Sequence, residues 1–375
     1  MKIRCAKERL VDGLHLVGRT VSVRTPLPIL ECILLTADAD GIRLMANDLE
    51  MSIETAPLPA DVDVGGSVAL EAKLFSEIVR KMPGDEIHIE VKENNETICK
   101  SGKARFTIMG MPGDEFPVME SLDKTDGYKL SAKEFREMIR QTIFSVATDD
   151  SKPVLTGELI QHRESSLNIV AVDGFRISYR RMNLPDIMPR SASNEPVSVV
   201  VPAKALHEIS RILPTETEDT LTFYFTDKRI VFDLPNFTFV SRLLEGEFIR
   251  YDQIFNEDFT TNVTVGRQDF LSGLERATLV ARENKKSPVK LEIMENSVII
   301  TSNTEMGTAY DEIKAEVDGS TLEIAFNPKY LIEALRAIEE DNIIARFTTG
   351  LSPCIIRGVE SDAAKYLILP LRLRG

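Results

Sequence analysis

Tryptophan is absent and aromatic residues make up only 6 % of the 375 positions, so aliphatic side chains have to fill the cores. Cysteine is scarce: Cys5, Cys32, Cys99 and Cys354 are scattered, with no CxxC spacing. That excludes a disulfide framework or zinc ribbon, and leaves inert thiols in a reducing cytoplasm as the expectation. The histidines, His15, His88, His162 and His207, are isolated and lack metal-ligand spacing. No G-x-x-x-x-G-K-[ST], G-x-G-x-x-G or G-x-S-x-G signature occurs. The longest apolar runs, such as 197–201 and 366–371, are strand-sized and far short of the ~20 residues of a membrane span. Met1-Lys2-Ile3-Arg4 has no apolar stretch of signal-peptide type. These absences point away from an enzyme, a metal or cofactor site and a membrane partner; no catalytic residue is expected. Surplus positive charge is lacking too. The formal net charge of −14 argues against a nucleic-acid partner unless the basic residues are concentrated on one surface.

What is present is a repeat. A short strand, a basic residue, and two positions later a large apolar residue opening a helix recur along the chain. The clear copies are Leu70-Glu71-Ala72-Lys73-Leu74-Phe75, Leu130-Ser131-Ala132-Lys133-Glu134-Phe135, Val201-Pro202-Ala203-Lys204-Ala205-Leu206 and Phe326-Asn327-Pro328-Lys329-Tyr330-Leu331. Two weaker copies, Cys5-Ala6-Lys7-Glu8-Arg9-Leu10 and Val265-Gly266-Arg267-Gln268-Asp269-Phe270, carry the basic residue one place early. Six copies in 375 residues means one every 62 or so. After the second, fourth and sixth helices comes an acidic turn and a strand; after the others, a different strand (42–47, 167–173, 298–303). Two alternating styles repeated three times imply three α+β domains, each with two helices packed on antiparallel sheet. The expected limits are 1–122, 128–252 and 260–375.

Charge follows the repeat. Lys73 and Arg80, Lys133 and Arg140, Lys204 and Arg211, and Lys329 and Arg336 are each seven residues apart, nearly two helical turns, so each pair shares a face. Arg136 reads as a third cation on the side of Lys133 and Arg140. In copies one and five the corresponding position holds His15 and Glu275. A single such helix reads as a solvated face with Glu77, Glu137 or Glu333 pairing the cations. Four of them in an acidic chain point to a shared basic surface.

At this point the residues resemble a family. Arg24-Thr25-Pro26-Leu27-Pro28-Ile29-Leu30, Asn47-Asp48-Leu49-Glu50-Met51, Ser101-Gly102-Lys103-Ala104-Arg105-Phe106, Val172-Asp173-Gly174-Phe175-Arg176, Val201-Pro202-Ala203-Lys204 and Leu369-Pro370-Leu371-Arg372-Leu373 are similar, in order and spacing, to the bacterial DNA polymerase III beta subunit, the DNA sliding clamp. The resemblance runs along essentially the whole chain. It implies a clamp fold in which two chains of three domains join head to tail as a ring, with helices lining the hole. Twelve helices about 10 Å apart give a circumference of about 120 Å and an axis-to-axis diameter of about 38 Å, enough for a duplex.

The implied function is a non-enzymatic processivity factor, cytoplasmic, that encircles duplex DNA without reading sequence and tethers the replicative polymerase. The implied partners are duplex DNA, a second copy of the chain, and polymerase, clamp loader and other proteins that insert a short peptide. Arg24, Lys73, Arg80, Lys133, Arg140, Lys204, Arg211, Lys329 and Arg336 are the expected DNA contacts. The resemblance puts ring closure at strand 103–109, with Lys103, Arg105, Phe106 and Ile108 meeting Leu279, Val280 and Glu305 of the other copy. It places the peptide pocket at Leu155, Val172, Gly174, Phe175, Arg176 and Ile177, with Ile249 and Ile254. Leu351, Pro353, Leu367, Leu369, Pro370, Leu371 and Arg372 complete it. Two aliphatic-walled sides with two arginines suit a peptide carrying apolar anchors and a few polar groups. The rival readings are a clamp paralogue outside replication and a repeat-built peptide or carbohydrate binder, which has no use for basic helix faces.

Overall fold

The computed structural model describes residues 1–22, 25–118, 127–149, 151–163, 165–184, 197–216, 219–226, 228–255, 258–281 and 287–372. All six expected helices form: α1 Lys7–Val17, α2 Ala72–Lys81, α3 Ala132–Thr142, α4 Ala203–Ile212, α5 Arg267–Ala277 and α6 Pro328–Ala337. The repeated motif is a helix start. In α2 the Glu71 carboxylate caps the Lys73 and Leu74 amides, at 3.1 and 2.6 Å; in α6 Asn327 caps Lys329 and Pro328 fills the first turn. The apolar residue two places after the lysine is the anchor: Phe75, Phe135, Leu206 and Leu331 are all buried. Each contributes on the order of 2–3 kcal/mol by leaving water.

One backbone bond occurs three times. The amide of Lys7 donates to the Asp85 carbonyl (2.8 Å), that of Ala132 to Asp219 (2.9 Å) and that of Arg267 to Asp341 (2.8 Å). The acidic turn after each even-numbered helix thus receives the start of the odd-numbered one. The strands alongside keep the same register, with Ala6 opposite Glu86, Ser131 opposite Thr220 and Gly266 opposite Asn342. The basic residues that sit one place early also acquire a reason. Lys7 Nζ donates to the Met82 carbonyl at the C-cap of α2 (2.6 Å), and Arg267 Nε to the Glu340 carbonyl in the turn after α6 (2.9 Å). They staple a helix pair together. Arg136 behaves likewise: its Nε donates to the Ser210 carbonyl of α4 (2.9 Å), so it is turned toward that helix and is not a third cation of an open face.

The described strands form four antiparallel sheets, and two of them run through from one repeat to the next. In the first nine-stranded sheet, Met51–Thr55 pairs with Phe237–Arg242; in the second, Arg176–Asn183 pairs with Ala364–Ile368. By contact the chain accordingly divides into two compact units, one chiefly Met1–Lys133 with Arg211–Leu243, the other Glu134–Asp186 and Ala192–Ser210 with Leu244–Gly375. The central repeat gives half its strands to each. The five-stranded sheet ends on Ala104–Met109 and the four-stranded sheet on Gly307–Lys314.

The register makes positions in the three repeats comparable. Glu158 follows Gly157, which faces Pro202 as Cys32 faces Glu71, so Glu158 is the counterpart of Ile33. It is wholly buried, and neither carboxylate oxygen has a hydrogen-bond partner. Burial, only slightly relieved by nearby Thr142, raises its pKa to about 8. The unfolded carboxyl ionises near 4.5, so the folded state holds an extra proton between these values. The stability the protonated form supports is full below about pH 4.5 and drains away as pH rises through 8. A Glu158→Leu variant is therefore expected to melt higher than the parent at pH 8 and to lose part of the parent's melting-temperature fall between pH 5 and 8.5. Parallel thermal melts across that range test it; identical pH slopes for the two proteins refute it.

Candidate DNA-facing helices and partner site

Four of the six helices present the expected cations. Lys73, Arg80, Lys133, Arg140, Lys204, Arg211, Lys329 and Arg336 are all exposed, on the side opposite the buried anchors. Some make surface pairs: Arg140 Nε with Glu137 (2.7 Å), Arg336 with Glu275 (2.7 Å) and Lys329 with Glu333 (3.8 Å). Exposed pairs of this kind are worth about 0–1 kcal/mol and exchange readily for a phosphate. Between α1 and α2 lies an open groove of about 580 Å³ whose lining includes His15, Arg19, Lys73 and Arg80. Arg24 lies outside the described residues.

The residues expected at the partner site come from five stretches: 155, 172–177, 249–254, 351–353 and 367–372. Leu155, Val172, Ile177 and Leu367 belong to one buried apolar cluster with Leu159, Val170, Val200, Tyr251 and Ile355, and Ile249 packs against it half-buried. Around this floor, Phe175 (56 % exposed), Ile254 (41 %), Leu351 (72 %) and Leu369 (38 %) remain open to solvent. Pro353, Pro370 and Leu371 are half-buried and Arg372 is exposed. The last strand ends at Ile368, so Leu369 is not core. Its amide instead donates to the Phe175 carbonyl (2.9 Å), and that of Leu371 to Ala325 (2.7 Å).

The turn at Gly174 shapes one wall. Asp173 Oδ1 accepts from the amides of Phe175 (2.9 Å) and Arg176 (3.1 Å), leaving Gly174 at φ 88°, where a side chain is disfavoured. The first repeat builds the same turn with Asp48 Oδ1 accepting from Glu50 and Met51, and forces Leu49 to φ 72°. Arg176 departs from the expectation of two arginines facing a peptide. Only 5 % exposed, it donates to Asp173, to Glu333 and to the Phe144 carbonyl, and lies over the rings of Phe144 (5.3 Å) and Tyr330 (4.5 Å). With each of its three guanidinium nitrogens bonded, it positions the turn. Arg372 is the exposed arginine of the pair.

The cysteines offer no chemistry: all four are free and buried, and burial raises the Cys5 and Cys32 thiols to about 11.

Family models for the DNA polymerase III beta subunit match the chain from end to end: the N-terminal domain at residues 1–120, the central domain at 129–249 and the C-terminal domain at 252–372. The chain belongs to this family. The beta sliding clamp of Bacillus subtilis is 34 % identical over 99 % of this chain and 100 % of its own, and that of Staphylococcus epidermidis is 32 % identical over 99 % of each. The crystal structure of the B. subtilis sliding clamp superposes with a TM-score of 0.95 at 34 % identity, covering both chains completely. The beta subunit of Streptococcus pyogenes gives 0.93 at 28 % identity, again over both chains. The clamp fold carries no helix long and apolar enough to cross a membrane among the described residues.

Arg176 ties Asp173, Glu333 and the Phe144 carbonyl together, so its loss is costly. Arg176→Ala leaves Asp173 and Glu333 facing each other's neighbourhood without their shared cation, an expected loss of about 3–5 kcal/mol. Denaturant unfolding measures it, and a change under 1 kcal/mol contradicts the assignment.

Proposed function

We propose that this chain is a processivity factor: a homodimeric ring around duplex DNA that tethers the replicative polymerase and other DNA-processing proteins by a short peptide. The family assignment carries the function. The observation that carries the ring is the repetition of one strand joint. Each repeat is bonded to the next edge to edge, at Met51–Thr55 with Phe237–Arg242 and at Arg176–Asn183 with Ala364–Ile368. The corresponding strands left over are Gly307–Lys314 and Ala104–Met109, both terminal in their sheets. An uncovered edge is an aggregation hazard unless a partner pairs with it. A second chain arranged head to tail covers both edges and closes six repeats on themselves.

The peptide pocket is supported by a difference between joints. Val172 faces Ile177 across its hairpin; the counterparts are Asn47 facing Ser52 and Asn303 facing Thr308. Only one position per chain is apolar. At the first joint Asn47 also donates to the Pro117 carbonyl (2.7 Å), with the connector's Phe116 buried close by in sequence. In this reading the protein supplies no catalytic group; it works in the cytoplasm, consistent with its free thiols, and its contacts with a clamp loader use the same pocket. A scaffold that ignores DNA leaves the four matching cation pairs without a purpose.

Retention on DNA is the direct test. Loaded with a clamp loader, the protein should stay on circular DNA and be lost from linear DNA with free ends; equal loss from both ends the ring reading. Single alanine changes at Lys73, Arg80, Lys329 or Arg336 should lower loading less than about threefold, and all four together more than tenfold, with a shallower salt dependence. For the pocket, Leu369→Glu should weaken binding of a polymerase-derived peptide at least tenfold while sedimentation still reports a dimer. Full peptide affinity in that variant refutes the pocket.

A further inference from the structure

Three positions on the helix-facing side recur in every repeat, and the second repeat alone fills all three with polar side chains. The first lies ten residues past the amide that opens each odd-numbered helix: Val17, Thr142 and Ala277. The second faces the strand that leads into the even-numbered helix: Ile33 opposite Leu70, Glu158 opposite Val201 and Val289 opposite Phe326. The third comes one residue after Ser52, Ile177 and Thr308 of the hairpin pairs: Ile53, Ser178 and Ala309. Val17, Ile33 and Ile53 are wholly buried, and so, within 1 %, are Thr142, Glu158 and Ser178. The polar three come together in the core. Leu159 faces Val170, which sets Glu158 beside Ala171, and Ala171 faces Ser178; Thr142 reaches the Glu158 carboxyl from the end of α3. The same repeat carries the apolar pair Val172 and Ile177 of the proposed pocket.

Inside this cluster one proton has two claimants. Thr142 Oγ1 donates to the Met138 carbonyl (2.8 Å) of its own helix. A protonated Glu158 can donate to that same oxygen, whereas an ionised one must take the hydroxyl proton or go without a donor. Among the described residues no charged group relieves it. In the sheet it is flanked by Val201 and Ala171. On α3, Lys133, Glu134 and Arg140 are exposed, Glu137 is bonded to Arg140 and Arg136 to the Ser210 carbonyl. On α4, Lys204, His207 and Arg211 are exposed and Glu208 is half-buried. Tyr366 lies beyond Ser178, which it faces, in the field of Arg140 and Arg180. The Glu158 carboxyl responds to burial first and then to Thr142, with no contribution from a charge. A carboxylate without partners is not sustained in an apolar core, so its ionisation has to bring water in.

The segment that closes the cluster also holds the wall of the pocket. α3 runs directly into the turn Ile143–Ser145. Ser145 Oγ lies 2.6 Å from Ser178 Oγ, and Phe144 stacks on Tyr366 at 6.0 Å. The Phe144 carbonyl accepts from Arg176, which also bonds Asp173 and so fixes the Gly174 turn and the exposed Phe175. In the first repeat the counterpart of Ser145 is Thr20, whose hydroxyl is tied to the backbone carbonyls of Val17 (3.1 Å) and Ala46 (3.2 Å) over an apolar floor. That corner has nothing to titrate. We infer that Glu158 is a proton-operated latch: protonated, it lets the end of α3 seat on the sheet and hold the Gly174 turn in place; ionised, it lifts that corner and loosens one wall of the pocket. The inference rests on the proposed pocket for what the latch controls. The folded carboxyl titrates near 8 against 4.5 in the open chain, so the seated form prevails at neutral pH and drains away as pH rises through 8.

Binding of a polymerase-derived peptide to the full-length protein, followed by fluorescence anisotropy at pH 6.5 and pH 9, tests the latch. Glu158→Gln keeps the shape of the side chain and has no proton to lose; Glu158→Leu takes its place if that variant does not fold. The parent's affinity should fall about threefold or more over this range while the variant's stays level. Hydrogen exchange gives a second reading that needs no peptide. At pH 9 the amides of residues 139–147 should lose protection in the parent relative to the variant, while those of Ala203–Ile212 and Pro328–Ala337 should not. Parallel pH profiles for parent and variant, or protection lost evenly through all three helices, overturn the latch. Peptide binding by neither protein at either pH is a failure of the pocket, and the latch then stands or falls on the exchange pattern alone.

Discussion

The architecture depends on one interaction: antiparallel backbone pairing between the last strand of one repeat and the second hairpin strand of its neighbour. Hydrogen bonds of this kind are worth little net individually, because water competes for the same groups. Their value here is directional. Buried amides and carbonyls must be paired, so a sheet that ends at a repeat boundary has to find the next strand or expose its edge. The same requirement that joins Met51–Thr55 to Phe237–Arg242 leaves Ala104–Met109 and Gly307–Lys314 in need of partners. A closed assembly of repeats is the arrangement that satisfies all of them with a single kind of contact.

Net charge and local charge then have different jobs. A chain at −14 has no long-range attraction for DNA, yet its cations are carried at the same two places on four helices. Screening confines each to about 8 Å at physiological salt, so a phosphate close to a helix face responds to Lys and Arg there and hardly to acidic groups farther off. If the proposed DNA-facing cations meet phosphates, weak surface pairs such as Arg336 with Glu275 compete for them and loosen the contact. For a protein held by topology, weak contact is an advantage, since a tight one would resist sliding.

The repeat, the six helices and the exposed cations were legible in the sequence because each depends on local spacing: a cap, an apolar anchor, two cations seven residues apart. Other features were not. Lys7 and Arg267 read as weaker copies because their acceptors are backbone carbonyls just past a helix some 75 and 73 residues away, and carbonyls leave no trace in composition. Arg136 shares the side of Lys133 by helical arithmetic, but the packing of α4 captures it. Arg176 looks like an accessible arginine in a polar turn; its burial follows from the convergence of Phe144, Tyr330 and Glu333, which come from distant segments. Glu158 was also invisible, since a glutamate in a strand normally faces water, and this strand buries its first four residues on both faces.

Repetition accounts for the strength of the design and also poses a problem, since equivalent joints offer equivalent surfaces. Three apolar hairpin ends per chain would bind partner peptides three times over, and exposed apolar patches of that kind invite nonspecific association. Under the proposed pocket, the difference lies at one facing pair per joint. Val172 and Ile177 extend the apolar cluster of the second joint toward Leu367, while Asn47 with Ser52 and Asn303 with Thr308 put polar groups at the same coordinates. At the third joint an apolar anchor would have to desolvate the exposed Asn303 and Thr308, at a cost of about 1–3 kcal/mol, whereas at the first Asn47 is already buried and bonded to Pro117 and Leu49. The backbone joint is thus free to repeat without variation because the side chains beside it do not, and under the proposed pocket it is these six residues that set one joint apart from the other two.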